Sequence, residues 1–209
     1  MRLYLIRHGQ TARNLRGNEL IGQDPDEPLT TLGEKQALLL GKKIADSKIV
    51  FDEIYCSPYP RASNTCNIVL KECSNKEPII DARLREYSTG EATNANRKDI
   101  ITFDVLNKMN ELGMHFSYKG GESLYMVEQR AAEWLFDVME KHKNSNKRIA
   151  AFSHGMVIKC LSHWIMKFDQ SLTWTLTVDN TSISEFEYKL GRWFVKGMNN
   201  TNHLTREDK

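Results

Sequence analysis

Residues 3–9 read Leu3-Tyr4-Leu5-Ile6-Arg7-His8-Gly9. Four consecutive apolar residues that stop at a polar cluster predict a short buried strand. Two later stretches share this plan. Residues 51–56 form a second short strand, broken by Ser57-Pro58 with Arg61 close behind, and residues 148–152 form a strand that runs into Ser153-His154-Gly155. In open α/β sheets, ligands bind outside the carboxyl ends of the strands. The three clusters can therefore meet at one edge, with two histidines, His8 and His154, and two arginines, Arg7 and Arg61, in one pocket.

Helical patterns fill the intervals. Residues 9–28 are polar and punctuated by glycine and proline, which predicts a long loop, and long loops inside compact domains are often functional. Thr30 or Thr31 can cap the helix that follows, and Thr31 with Glu34 fits a capping box; the helix ends near Ser47. Pro60 suits the first turn of a helix over residues 61–72. Residues 78–80 predict a short strand and residues 97–112 one helix. Ser123 caps a long helix with Leu124, Val127, Ala131, Leu135 and Val138 on one face. Residues 155–165 are apolar and helical, and residues 182–188 and 193–196 read as a hairpin around Leu190-Gly191-Arg192. This alternation predicts an α/β protein: a three-layer α/β/α sandwich with a mixed, mostly parallel sheet and a late antiparallel element.

The 209 residues suit a single domain over 1–209, large enough to bury a core without staples. With 29 Lys+Arg against 27 Asp+Glu, the net charge of +2 is too balanced to suggest a nucleic-acid partner. The apolar run at Leu3–Ile6 is too short for a signal peptide or a membrane helix, so no membrane partner is expected. Cys56, Cys66, Cys73 and Cys160 make no CxxC pair and no zinc-ligand spacing, and they read as free thiols in a reducing, cytoplasmic setting. Nothing in the pattern speaks to oligomeric state.

Two arginines offer fork-shaped donors matched to phosphate oxygens. A neutral histidine among them can act as a nucleophile, so the cluster describes a phosphoryl-transfer site that needs no metal and no cofactor. Each residue alone has a plainer reading: a histidine after a strand is usually a capping or core group, and an isolated Arg61 is usually a surface ion pair. His115, His142 and His163 lie in helical or loop contexts, and His203 near the tail reads as structural. Their combination at several strand ends distinguishes His8 and His154.

The motifs then resemble those of the histidine phosphatase superfamily, in the phosphoglycerate mutase-like branch. Leu5-Ile6-Arg7-His8-Gly9-Gln10-Thr11 with Asn14 is similar to its signature. Pro28-Leu29-Thr30 with Gly33, Gln36 and Ala37, and Ser57-Pro58 with Arg61-Ala62 and Thr65, resemble two further segments. Leu84-Arg85-Glu86 with Gly90, Gly121-Glu122-Ser123 and Ser153-His154-Gly155 complete six motifs in the family's order.

The resemblance implies a phosphoglycerate mutase-like fold and a set of roles. His8 would carry the phosphoryl group as a phosphohistidine. Arg7, Arg61 and His154 would surround it, Asn14 and the Gly155 N–H would bind it, and Glu86 would serve as acid and then base. A small-molecule phosphate ester would be the substrate, hydrolysed by a metal-independent phosphomonoesterase. Two alternatives stand beside this: a cofactor-dependent phosphoglycerate mutase and a catalytically weak phospho-ligand binding or regulatory protein. The mutases carry Glu-Arg-x-Tyr-Gly at the acid loop and an Arg-Arg pair beyond it. Here Glu86 is followed by Tyr87-Ser88-Thr89-Gly90, without such a pair, which favours hydrolysis. Two departures from the family, Glu19-Leu20-Ile21-Gly22 and Glu91-Ala92-Thr93-Asn94, fall on the substrate-facing wall. Specificity should lie in the 9–28 loop and in an insert at about 92–121 that covers the active site. Arg97, Lys98 and Tyr118 are candidates to meet the leaving group, and Glu91 is the nearest alternative acid.

Overall fold

The computed structural model describes residues 1–16, 19–22, 24–74 and 76–208. Residues 17, 18 and 23 of the predicted 9–28 loop lie outside the described residues, as do residues 75 and 209.

Six strands form one sheet: β1 (Arg2–Arg7), β2 (Glu53–Cys56), β3 (Ile79–Ile80), β4 (Arg148–Ser153), β5 (Ile183–Lys189) and β6 (Arg192–Asn200), in the order β3-β2-β4-β1-β5-β6. β1, β2, β3 and β4 are mutually parallel, and β5 and β6 add an antiparallel edge. The mixed, mostly parallel sheet is the one expected from the alternation of elements. β6 extends to Asn200, four residues past the predicted hairpin arm.

Eight helices accompany the sheet among the described residues: α1 (Ala12–Leu15), α2 (Thr31–Asp46), α3 (Pro60–Cys73), α4 (Arg97–Ile100), α5 (Phe103–Leu112), α6 (Leu124–His142), α7 (Gly155–Met166) and α8 (Leu172–Thr175). The uninterrupted apolar run of β1 now has its reason. Side chains alternate across a strand, so Leu3 and Leu5 join the core under α6 and α7, with Trp134, Leu135, Ile149 and Leu161. Tyr4 and Ile6 join the core under α2 and α3, with Leu40, Ile54, Val69 and Phe152. A strand buried on both faces has no polar side to show.

Local chemistry sets the helix boundaries. Thr30 caps α2 by accepting from the Gly33 N–H at 3.0 Å, so the box expected from Thr31 and Glu34 does not form, and Thr31 is the first helical residue. Pro60 opens α3, where its missing N–H is no loss. Ser123 caps α6 through the Met126 N–H. The single helix expected over residues 97–112 is two: α4 stops at Ile100, and Thr102 restarts the chain as the cap of α5. Thr102 accepts from the Val105 N–H, a local bond that competes with continuing the helix. The long first loop also contains α1.

The register places the three polar clusters together. Arg7 pairs with Ser153 at the end of the β1–β4 ladder, and Cys56 pairs with Phe152 at the end of β2–β4. The residues that follow, His8, Ser57 and His154, therefore leave the sheet at the same edge. There the chain after β1 runs hard against the start of α2. A Cβ on Gly9 would stand 2.4 Å from the Gly33 carbonyl oxygen, and one on Gly33 would stand 2.1 Å from that of Gln10. Both contacts are with backbone, which cannot rotate away.

Gly33→Ala should therefore lose about 1–3 kcal/mol of stability, the usual cost of overpacking, and should displace the segment carrying His8. Urea denaturation reads this as a lower midpoint at unchanged slope; a wild-type midpoint would refute the close approach.

Candidate active site

His8 is almost fully buried, and its Nδ1 lies 2.7 Å from the Gly9 carbonyl oxygen. A carbonyl only accepts, so in the neutral ring Nδ1 carries the proton and Nε2 holds the lone pair. The backbone around His8 is tied on every side. Its carbonyl accepts from Asn180 Nδ2 at 3.0 Å, its N–H donates to the Ser153 carbonyl, and the Gly9 N–H donates to Thr65 Oγ1 at 2.9 Å. The His154 ring lies 5.2 Å from that of His8, centroid to centroid. His154 Nε2 is 2.7 Å from Ser57 Oγ.

The arginines flank this pair. Arg7 Nη1 donates to the Val178 carbonyl at 2.7 Å. Arg61 is fully buried; its Nη1 donates to the carbonyls of Asp24 and Pro25 at 3.0 and 3.1 Å, and its guanidinium lies over the Tyr59 ring. Tyr59 in turn meets His154 edge-on at 5.4 Å. Both guanidinium groups are held at one end by carbonyls. Arg7 Nε, Arg61 Nε and Nη2, and His154 Nδ1 are buried without a hydrogen-bond partner among the described residues. Buried polar groups are nearly always paired, and an exception calls for a reason.

Three hydrogen bonds converge on Asn14 Oδ1, from the Thr11 N–H, the Thr11 hydroxyl and Asn180 Nδ2, leaving the amide nitrogen as the side chain's remaining donor. Gly155 is the first residue of α7, where N–H groups and the helix dipole favour an anion. A Cβ there would come within 3.5 Å of Arg7 Nε. Glu86 lies across the same cavity as Arg7, Asn14 and Gly155. Its Oε1 accepts from the Tyr87 N–H at 2.9 Å and its Oε2 from the Met156 N–H at 3.2 Å.

The structure thus brings together Arg7, His8, Asn14, Arg61, Glu86, His154 and Gly155. Of the wall candidates, Arg97 and Tyr118 line the cavity and Lys98 does not. Glu91, the fallback acid, is exposed and paired with Lys119 at 2.9 Å, away from the cavity lining. His142 lies beside Glu53, His163 beside Glu128, and His203 beside the Thr181 hydroxyl.

Several residues went unnoticed in the sequence. Asn180 and Val178 come from the segment before β5 and hold Asn14, His8 and Arg7; no local pattern distinguishes them. Arg130 is different. It donates to Glu122 through Nε at 2.8 Å and Nη2 at 3.0 Å, to the Arg83 carbonyl and to the Glu86 carbonyl. Glu122 also accepts from the Ser88 N–H and from Arg85. This pair pins both ends of the loop carrying Glu86. The signal was present: Arg130 stands at core-facing spacing between Val127 and Trp134, and a cation there demands a buried partner.

Burial, reinforced by the charges of Arg7 and Arg61, holds the His8 imidazole well below its ordinary 6.5. Burial does the same to His154, again with Arg61 contributing. Both rings are therefore neutral at pH 7. Burial also lowers Arg7 and Arg61 from their usual value, opposed in each case by Glu86.

Residues 3–201 match the histidine phosphatase superfamily (branch 1). The chain is 28% identical to the "Probable phosphoglycerate mutase GpmB" of Salmonella choleraesuis over 200 residues, covering 94% of this chain and 89% of that protein. Among solved structures, it resembles a phosphoserine phosphatase mutant from Entamoeba histolytica in complex with phosphoserine, with a TM-score of 0.84, 26% identity and coverage of 98% and 99% of the two chains. It also resembles Bacillus stearothermophilus YhfR, with a TM-score of 0.81, 27% identity and coverage of 97% and 98%.

The neutral histidines give a test in pH. An unfolded chain protonates both rings as pH falls through about 6.5, while the native state refuses those protons. Unfolding then takes up protons, so stability falls with falling pH, by up to about 2.7 kcal/mol per pH unit for two such groups. Urea midpoints between pH 7.5 and 5.5 should show this loss, and His8→Asn should shed about half of it. An identical pH slope in the variant would mean that His8 titrates normally in the fold.

Proposed function

The chain belongs to the histidine phosphatase superfamily, and on that premise we propose that it is a phosphomonoesterase that passes the phosphoryl group of a small phosphate ester to His8 and then to water. One observation carries the reading: four buried nitrogens, on Arg7, Arg61 and His154, stand without partners around a neutral, oriented His8. A dianionic phosphoryl group supplies the acceptors that all four lack. The phosphoserine phosphatase among the similar structures accords with this.

In this mechanism His8 Nε2 attacks phosphorus while the bond to the alcohol oxygen breaks. Arg7, Arg61 and His154 donate to the equatorial oxygens, with the Asn14 amide and the Gly155 N–H beside them. Such transfers depend mainly on positioning and on stabilising that charge. Glu86 gives its proton to the departing oxygen, which leaves as the neutral alcohol. The resulting carboxylate takes a proton from water as the water oxygen attacks phosphorus, the P–N bond breaks, and phosphate and neutral His8 are restored. Arg130 and Glu122 keep the Glu86 loop in place through both halves.

Hydrolysis is favoured over a mutase reaction by the absence of the mutase residues after Glu86 and by the phosphatase among the similar structures. All four cysteines are free, which suits a reducing, cytoplasmic compartment. No helix among the described residues is long and apolar enough to cross a membrane.

Two experiments test the mechanism. Rapid quenching without acid should trap phosphate on His8 in an acid-labile, base-stable form, with inorganic phosphate released on turnover. Phosphate found on serine or aspartate would overturn the assignment. Glu86→Gln should slow phosphorylation by alkyl phosphates about 10²–10⁴-fold. With p-nitrophenyl phosphate, whose leaving group needs little protonation, the loss should be far smaller and a burst of nitrophenol should precede slow turnover. Equal losses in single-turnover measurements would reduce Glu86 to a positioning role.

A further inference from the structure

His8 and His154 are both buried and neutral, yet different groups settle where their protons sit. The carbonyl beside His8 can only accept. His154 Nε2 faces the Ser57 hydroxyl at 2.7 Å, and a hydroxyl can donate or accept. Which nitrogen of His154 carries the proton therefore depends on what else Ser57 touches.

Ser57 is fully buried in the turn Ser57-Pro58-Tyr59-Pro60 between β2 and the start of α3. Proline has no N–H, so Ser57 and Tyr59 hold the two backbone donors of this turn. The Ser57 N–H donates to the Phe152 carbonyl at 2.9 Å. The Tyr59 N–H donates to Ser57 Oγ at 3.3 Å, the local bond by which a serine closes a turn two residues on. The hydroxyl oxygen thus already accepts, and its own proton has His154 Nε2 as the acceptor within reach.

Counting unmet groups separates the two neutral tautomers. With the proton on Nε2, that N–H and the Tyr59 N–H would both donate to Ser57 Oγ. The hydroxyl proton would then lack an acceptor and the Nδ1 lone pair a donor, both of them buried. With the proton on Nδ1, the hydroxyl donates to Nε2 and one group, the Nδ1–H, stands without a partner. Each unmet buried group carries its full desolvation cost, so the second arrangement is favoured. The backbone agrees. His154 is the N-cap residue of α7, where the free backbone groups are N–H donors. A bare Nδ1 lone pair could accept from one of them, yet the side chain makes no cap bond. Burial and the charge of Arg61 oppose protonating both nitrogens at once.

Resting on the phosphatase reading, we propose that Ser57 is a positioning residue for phosphoryl transfer, its hydroxyl holding the His154 proton on Nδ1, the nitrogen left free for a phosphoryl oxygen. The relay runs one way, from the Tyr59 N–H through the Ser57 hydroxyl to the His154 ring, and ends in a donor. The Tyr59 ring, edge-on to His154 at 5.4 Å, supports the imidazole from the same turn.

Nitrogen-15 NMR of the histidine rings at neutral pH reads the tautomer without catalysis. The His154 signals are those lost in His154→Asn. The expected result is a protonated Nδ1 and a bare Nε2 in the wild type, and a mixture of both tautomers in Ser57→Ala. A wild-type ring protonated on Nε2 would overturn the proposal, whether or not esters are hydrolysed. Single-turnover phosphorylation of His8 then tests the role. Ser57→Ala should slow it about tenfold, the worth of one oriented hydrogen bond. In a His154→Asn background the same change should cost under about twofold, because the group that Ser57 orients is gone. Equal losses in the two backgrounds would mean that Ser57 supports the turn rather than the histidine, and would overturn the proposal. The expected tautomers in a protein that hydrolyses no phosphate ester and traps no phosphate on His8 would refute the phosphatase reading while confirming the relay from Ser57 to His154.

Discussion

The pairing of Arg7 with Ser153 at the end of the β1–β4 ladder is the constraint on which the site depends. Parallel strands in register deliver their carboxyl ends to one line, and side chains reverse face at each residue. A slip of one residue would exchange the two cores, sending Leu3 and Leu5 where Tyr4 and Ile6 belong. Burial on both faces of β1 and β4 forbids it. The hydrophobic effect thereby holds His8 and His154 at 5.2 Å with no direct bond between them.

Around that pair the molecule tolerates an arrangement that would be unfavourable anywhere else. Two guanidinium groups share a pocket with two neutral imidazoles, and several of their nitrogens lack partners. Carbonyls of Val178, Asp24 and Pro25 hold each arginine by one end only. The unpaired ends leave buried donors that an anionic group would satisfy. Burial keeps the histidines neutral under the same positive field, which preserves a lone pair on His8 at pH 7.

Glu86 shows a different kind of support. It is a loop residue, and loops are less well defined than strand ends. Here Arg130 and Glu122 compensate, joining α6 to the carbonyls of Arg83 and Glu86 and to the Ser88 N–H. A largely buried ion pair of this kind contributes less through net stability than through fixing a unique loop geometry, since desolvation offsets much of its Coulomb energy. The wall beyond Glu86 is organised in the opposite way. α4 and α5 make few demands on the core and bury none of their residues, so they can vary in shape without disturbing the cluster around His8.

The sequence by itself determined the sheet's character and the identity of the central side chains. Apolar runs ending in Arg7-His8-Gly9, Ser57-Pro58 and Ser153-His154-Gly155 state both burial and edge, because strand periodicity and strand ends are local properties of the chain. The cap of α2 and the break between α4 and α5 were less legible: Thr30 competes with Thr31, and Thr102 competes with a continuous helix, by margins smaller than neighbouring contacts supply. Only the tertiary structure decided that Asn180 would hold Asn14 and His8 from about 170 residues away, that Arg130 would reach the acid loop, and that the Ser57 hydroxyl would meet His154. Those contacts join segments with no common periodicity, and their energy exists only after packing has brought the segments together.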